Sequence, residues 1–142
     1  MLLIAEALLA LGRPAEAEQL LRPLAQRQPR HEALGMRLAQ ALAAKGDPQA
    51  AWQWLRRIPT QEQTSLEFLE VAQQIAQQAG QSAEAILYNA ERNLRLGEYR
   101  YARLALEQLA KTPDLPASSR PRLQQLLANT RQGEQELQYL KQ

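Results

Sequence analysis

The apolar and polar positions of this chain return in the same order along its length. Gly12, Gly46 and Gly80 stand 34 residues apart, and Ala17, Ala51 and Ala85 keep the same step, each five residues after a glycine. The first stretch reads Ala5, Leu8, Gly12, Ala17, Leu21, Leu24 and Pro29; the second reads Ala39, Leu42, Gly46, Ala51, Leu55 and Ile58. Apolar residues at intervals of three and four share one face of a helix, so each stretch predicts two helices meeting at its glycine. Glycine past a helix end takes the left-handed backbone that a tight turn between antiparallel helices requires. Alanine where helices cross lets their backbones approach closely.

A fixed step near 34 residues marks stacked helix pairs, in which each pair alone leaves an apolar face exposed and about three units are needed to bury it. The order fits the tetratricopeptide pattern, which it resembles at its small, bulky, Gly, Ala, bulky and apolar positions. The second unit lacks a late proline but carries Pro59 earlier, which predicts a shortened second helix. The third unit departs from the pattern: after Gly80 and Ala85 come Asn89 and Arg92, and the order restarts at Gly97, Ala102, Leu106 and Leu109, only 17 residues after Gly80. One helix, about 82–96, is therefore expected to serve two units, with Ala90 as the small residue of the new one.

The resulting expectation is all-α: a right-handed, tetratricopeptide-like solenoid of about eight antiparallel helices, near 2–11, 14–28, 31–45, 48–57, 63–79, 82–96, 98–111 and 118–140. The units fall near 1–30, 31–62, 63–96 and 82–114, within a single domain over 1–142. The last helix follows Pro113 and Pro116, with Ser118 or Ser119 as its cap, and carries Leu123, Leu126, Leu127, Leu137 and Leu140 on one stripe. It reads as the terminal cap a solenoid needs. Gly133 inside it, costing about 1 kcal/mol relative to alanine, marks a kink or an end.

Composition narrows the chemistry. Hydrophobic residues at 45% and charged residues at 23% suit a folded domain, and the Ala-, Leu-, Gln-, Glu- and Arg-rich alphabet favours helix over strand. The 17 basic residues are scattered among 15 acidic ones, for a net charge of +2, which does not imply nucleic acid. Cysteine is absent, so no disulfide framework or thiolate metal site is expected. Residues 1–11 are apolar enough for a signal-peptide core, yet they lack a basic leader and a cleavage site and run in phase with the repeat. They are read as the first repeat helix, begun without a cap, as in a fragment of a longer protein. No stretch has the roughly 18 apolar residues of a membrane span.

From Gly46 onward the chain resembles the carboxy-terminal tetratricopeptide domain of BepA-type periplasmic zinc metallopeptidases, which assist outer-membrane protein assembly. The likeness rests on Ala76 to Ala85, on Gly97 to Ala102, on Leu106 to Leu109 and on the final helix from Arg120 to Leu127. It implies a periplasmic location, partners in outer-membrane assembly or its clients, and a zinc-bearing catalytic half outside this chain. His31-Glu32 begins like that half's zinc motif, but Gly35 stands where the second His belongs. No catalytic, metal-binding or cofactor-binding residue is carried over.

The candidate chemistry is therefore recognition of a protein or peptide. In this resemblance ligands lie in a concave groove lined by the first helix of each unit. Mapping those positions gives Glu6 and Leu9, then Met36, Arg37 and Gln40, then Glu70, Gln74 and Gln77, and finally Tyr88, Glu91 and Arg95. A clamp that grips a terminal carboxylate is disfavoured, because Leu2, Glu6, Arg37, Glu67 and Val71 occupy its places and only Arg37 suits. His31 reads as a turn residue, and of Trp52 and Trp54 one is expected to pack while the other stays partly exposed. The alternatives are a free-standing scaffold in pilus or cytochrome assembly, and a hydrolase in its own right.

Overall fold

A computed structural model describes residues 1–61 and 63–141. Its helices are α1 (Leu2–Ala10), α2 (Pro14–Arg27), α3 (Glu32–Ala44), α4 (Pro48–Leu55), α5 (Leu66–Gln78), α6 (Ser82–Arg95), α7 (Tyr99–Ala110) and α8 (Arg120–Leu140), with one 3₁₀ turn at Ala117–Ser119. Among the described residues no strand occurs, and the helices fall within a few residues of the predicted ones. They group into two compact units, Met1–Gly80 and Gln81–Gln142.

In the first unit α1 pairs with α2 and α3 with α4, while α1, α3 and α5 also contact one another in series. The recurring alanines sit where these helices touch: Ala5, Ala17, Ala39 and Ala51 are fully buried. Lying in the middle, α3 buries Leu34, Gly35, Met36, Leu38, Ala39, Ala41 and Leu42. Both hairpins close in the same way. Gly12 and Gly46 have φ of 72° and 90°. Gly12 N–H donates to the Leu9 carbonyl and Arg13 N–H to that of Leu8, just as Gly46 and Asp47 donate to Ala43 and Leu42. This is a Schellman turn, which satisfies carbonyls the helix leaves open. A Cβ at Gly46 would meet nothing within 4 Å, so the backbone alone sets the penalty of substitution. Gly46→Ala is expected to lower stability by about 1 kcal/mol, read from the denaturant midpoint at unchanged slope.

Helix α4 starts at Pro48, with the Asp47 carboxylate accepting from Ala50 N–H at 3.1 Å, and it ends at Leu55, ahead of Pro59. Here one expectation is corrected: Trp52 and Trp54 are both buried. The helix packs against α3 and also against α5, so two of its sides are covered. The Arg57 guanidinium also lies 4.9 Å from the centre of the Trp54 ring. Helix α5 begins at Leu66, three residues later than predicted. The Thr64 hydroxyl accepts from Gln61 N–H in a turn, and Ser65 caps the helix by accepting from Phe68 N–H at 3.0 Å.

Glu18 on α2 joins two cations, Lys45 at 2.5 Å and Arg22 at 2.6 Å. The Lys45 hydrogen bond first, and then that of Arg22, hold its carboxyl below the ordinary glutamate value against a smaller effect of burial. A pKa lowered by folding adds stability above the ordinary carboxylate range and loses it as pH falls through the lowered value. Both cations keep about two fifths of their side chains in solvent, so less than about 1 kcal/mol is at stake. Lys45→Ala is expected to move the Glu18 titration upward, as followed by carboxyl NMR shifts; an unmoved titration would contradict the bridge.

The second unit packs α6, α7 and α8 around Leu87, Ala90, Ala102, Leu106, Leu109, Leu123 and Leu126. Gly97, with φ of 78°, closes the α6–α7 hairpin through the same pair of bonds, to Leu94 and Asn93. Ser119 precedes α8 but gives no side-chain cap; its hydroxyl donates to Glu84 at 2.7 Å instead. Helix α8 runs unbroken through Gly133, where a Cβ would lie 2.5 Å from the Tyr99 ring. The glycine therefore makes room for an aromatic side chain and does not end the helix. The expected leucine stripe packs only in part: Leu123 and Leu126 are buried, while Leu137 and Leu140 are 44% and 81% exposed. Gly133 lies beside Tyr99, the first residue of α7, and Glu134 pairs with Arg103 at 2.7 Å. Beyond that point α8 has outrun the helix it packs on.

Candidate functional site

Polar side chains from three helices of the first unit meet on one side: Glu6 of α1, Arg37 and Gln40 of α3, and Glu67 of α5. On α3 Arg37, Gln40 and Ala44 share a stripe, at helical spacings of three and four. Arg37, near the middle of the helix, reaches both neighbouring helices. Its guanidinium donates to Glu6 of α1 at 3.0 and 3.1 Å, to Glu67 of α5 at 2.9 Å and to Gln40 at 2.8 Å. One planar cation with five N–H donors thus ties α1, α3 and α5 together.

The staple is unevenly exposed. The Arg37 side chain keeps 14% of its surface in solvent, against 42% for Glu6 and 54% for Glu67. Partial burial opposes its charge, but the hydrogen bonds it donates to Glu67 and then Glu6 outweigh this and hold its pKa above the ordinary arginine value. Beside it Glu6, Leu9, Arg37, Gln40 and Ala44 line a cavity of about 390 Å³, within the size range of sites that take a small ligand or a few side chains. Its lining is apolar at Leu9 and Ala44 and polar elsewhere.

Of the residues expected to line a groove, Arg37 and Gln40 meet at this cavity together with Glu6 and Leu9. Glu70, Gln74 and Gln77 are exposed on α5, on the stripe that starts at Glu67. Met36 is buried in the core, because one residue's rotation carries it off the stripe of Arg37. Tyr88, Glu91 and Arg95 belong to α6 in the second unit. There Glu91 is buried and pairs with Arg122 of α8 at 2.5 Å and with Arg95 at 4.0 Å. Tyr88 is buried as well; burial chiefly, then the charges of Glu84 and Glu91, push its hydroxyl pKa well above the ordinary tyrosine value.

The sequence reading missed Ala44 and the role of Glu67. The signal for Glu67 was present: Glu6, Arg37 and Glu67 are 31 and 30 residues apart, one repeat less about one helical turn, which is the offset of a diagonal contact between successive first helices. This arrangement also bears on the carboxylate clamp, because the one cation at a matching place is already held by two glutamates. His31 caps α3, its Nδ1 accepting from Leu34 N–H at 3.2 Å. Among the described residues no group of three or more His, Cys, Asp or Glu is placed to hold a metal ion, and no helix is long and apolar enough to cross a membrane.

A family model described as tetratricopeptide repeat matches residues 8–70, a stretch inside the first unit that contains the Gly12 and Gly46 turns and the Arg37 staple. Searches of curated proteins and of solved structures give no match. Over that stretch the helix pairs of the first unit are similar to tetratricopeptide repeats.

Proposed function

We propose that this chain is a non-catalytic interaction module that receives a segment of polypeptide in the groove formed by α1, α3 and α5. Tetratricopeptide repeats bind protein or peptide partners, and residues 8–70 are similar to that repeat class. The observation that carries the assignment is the cavity beside Arg37, with its two apolar residues and three polar ones on adjacent repeats. A backbone finds hydrogen-bonding partners at Gln40 and the glutamates, and a small apolar side chain fits against Leu9 and Ala44.

Arg37→Glu is not a clean test, because it would set three carboxylates together and loosen the helices themselves. Ala44→Trp is better: Ala44 is exposed on the cavity wall, so the indole fills the groove without entering the core. A displayed library of random dodecapeptides is expected to enrich on the full chain, with the affinity of the enriched peptides falling about tenfold or more on Ala44→Trp. Equal binding by the two proteins would remove the groove assignment.

The finer reading places the module in a periplasmic zinc metallopeptidase that serves outer-membrane protein assembly. Its support is the likeness of Ala76 to Ala85 and of Gly97 to Ala102 to that group. Any zinc would belong to a catalytic half outside these residues. Chelator-sensitive proteolysis by the whole gene product in a periplasmic extract is the expected result; activity without zinc, or a cytoplasmic product, would reject it.

A further inference from the structure

We infer that the groove of the first unit selects a cationic stretch of polypeptide, with a Lys or Arg side chain held by Glu67 and Glu70 beside the Arg37 staple. The inference rests on the reading of this groove as a peptide site and adds the chemistry of its occupant.

Apart from Arg37, the cations of this unit lie off its groove stripes, while acidic residues occur both on and off them. The groove stripes of α1, α3 and α5 carry Glu6, Glu67 and Glu70 against the single cation Arg37, a balance of three negative charges to one positive. Every other Lys or Arg in residues 1–80, namely Arg13, Arg22, Arg27, Arg30, Lys45, Arg56 and Arg57, lies on α2 or on the connections flanking α2 and α4. A chain with a net charge of +2 thus presents its opposite sign on the face that holds the cavity. Sorting of this kind steers a partner of complementary charge and repels one of like charge.

Geometry shows which groups remain open to a ligand. The Arg37 guanidinium is mostly buried and bonded to two glutamates, so an incoming anion would have to displace them. Glu67 keeps more than half of its side chain in solvent, and Glu70, one helical turn further along α5, is exposed as well. Carboxylates three residues apart on a helix sit close enough to share one ammonium or guanidinium group. The uncharged Gln74 and Gln77 continue the stripe and suit the backbone of an extended segment, while Leu9 and Ala44 take a small apolar side chain beside the cation.

The probe is the random dodecapeptide library, selected in parallel on the full-length chain, on Ala44→Trp, on Glu67→Gln/Glu70→Gln and on a Glu16→Gln control from α2. The expected result is enrichment of Lys or Arg at a fixed distance from a small apolar residue, absent on Ala44→Trp, unchanged on Glu16→Gln and lost on Glu67→Gln/Glu70→Gln. For a synthetic peptide of the enriched sequence, Lys→Gln should weaken binding about fivefold at low salt, as expected for exposed ion pairs. That difference should vanish on the double variant and shrink with added salt. Gln retains an acceptor for Arg37, and an unchanged thermal midpoint in the double variant separates lost recognition from lost fold. Enrichment that Ala44→Trp abolishes, but with no cationic bias or with a bias indifferent to Glu67 and Glu70, would overturn the inference and leave the groove standing. Enrichment indifferent to Ala44→Trp would remove the groove itself, and the inference with it.

Discussion

Arg122→Met is expected to destabilise the second unit by about 2–3 kcal/mol, more than any surface substitution considered above. Arg122 meets the Glu91 carboxylate at 2.5 Å, and Glu91 keeps only 9% of its side chain in solvent against 26% for Arg122. Removing the arginine leaves Glu91 the longer contact with Arg95 at 4.0 Å, so a buried charge loses its main partner. A fully buried pair broken from one side costs about 3–5 kcal/mol, and the solvent left to Arg122 lowers that figure. The double variant Glu91→Leu/Arg122→Met replaces both charges by apolar groups and should recover most of the loss. Denaturant unfolding of the single and double variants measures the difference; an Arg122→Met protein as stable as the parent would show that the pair does not hold α8 to α6.

Gly133→Leu should cost about 1–3 kcal/mol, the usual penalty for overpacking a filled site. Helix propensity alone predicts the opposite sign, because glycine inside a helix is less favourable than leucine by about 0.8 kcal/mol. The contact decides between them. A Cβ at residue 133 would approach three atoms of the Tyr99 ring at 2.5 to 2.8 Å, and a ring cannot yield as the tip of an aliphatic chain can. In a Tyr99→Ala background the obstruction is gone, so Gly133→Leu should then stabilise. Thermal midpoints of the four proteins test this reversal of sign, and a Gly133→Leu protein that gains stability with Tyr99 present would contradict the packing.

The parts of this molecule that were legible in its sequence are those encoded locally. Gly12, Gly46 and Gly97 mark turns because only their own backbone conformation matters, and the alanines five residues later mark crossings because the period repeats the contact. The faces of α6 and α8 were not legible. Tyr88 and Glu91 fall on the spacing of a groove, yet Arg122, 31 residues after Glu91, takes up Glu91's charge. Periodicity states which residues share a face and is silent on what covers that face. Trp52 and Trp54 show the same limit, since a short helix packed on two neighbours buries more than one side. Gly133 shows it in reverse, a residue read for its propensity that is explained by a ring on another helix. In the candidate site, Arg37 and Gln40 were legible from the repeat, whereas Glu67 required reading charge across repeats, one turn out of step with the glycines.

Backbone amide NMR of the isotopically labelled chain, titrated with a dodecapeptide enriched on it, tests the peptide groove most directly. If α1, α3 and α5 form one binding face, the shifted resonances should gather at Glu6, Leu9, Arg37, Gln40, Ala44, Glu67 and Glu70. Shifts gathered on α2 and α4, or on α6 to α8, with those residues unmoved, would contradict it.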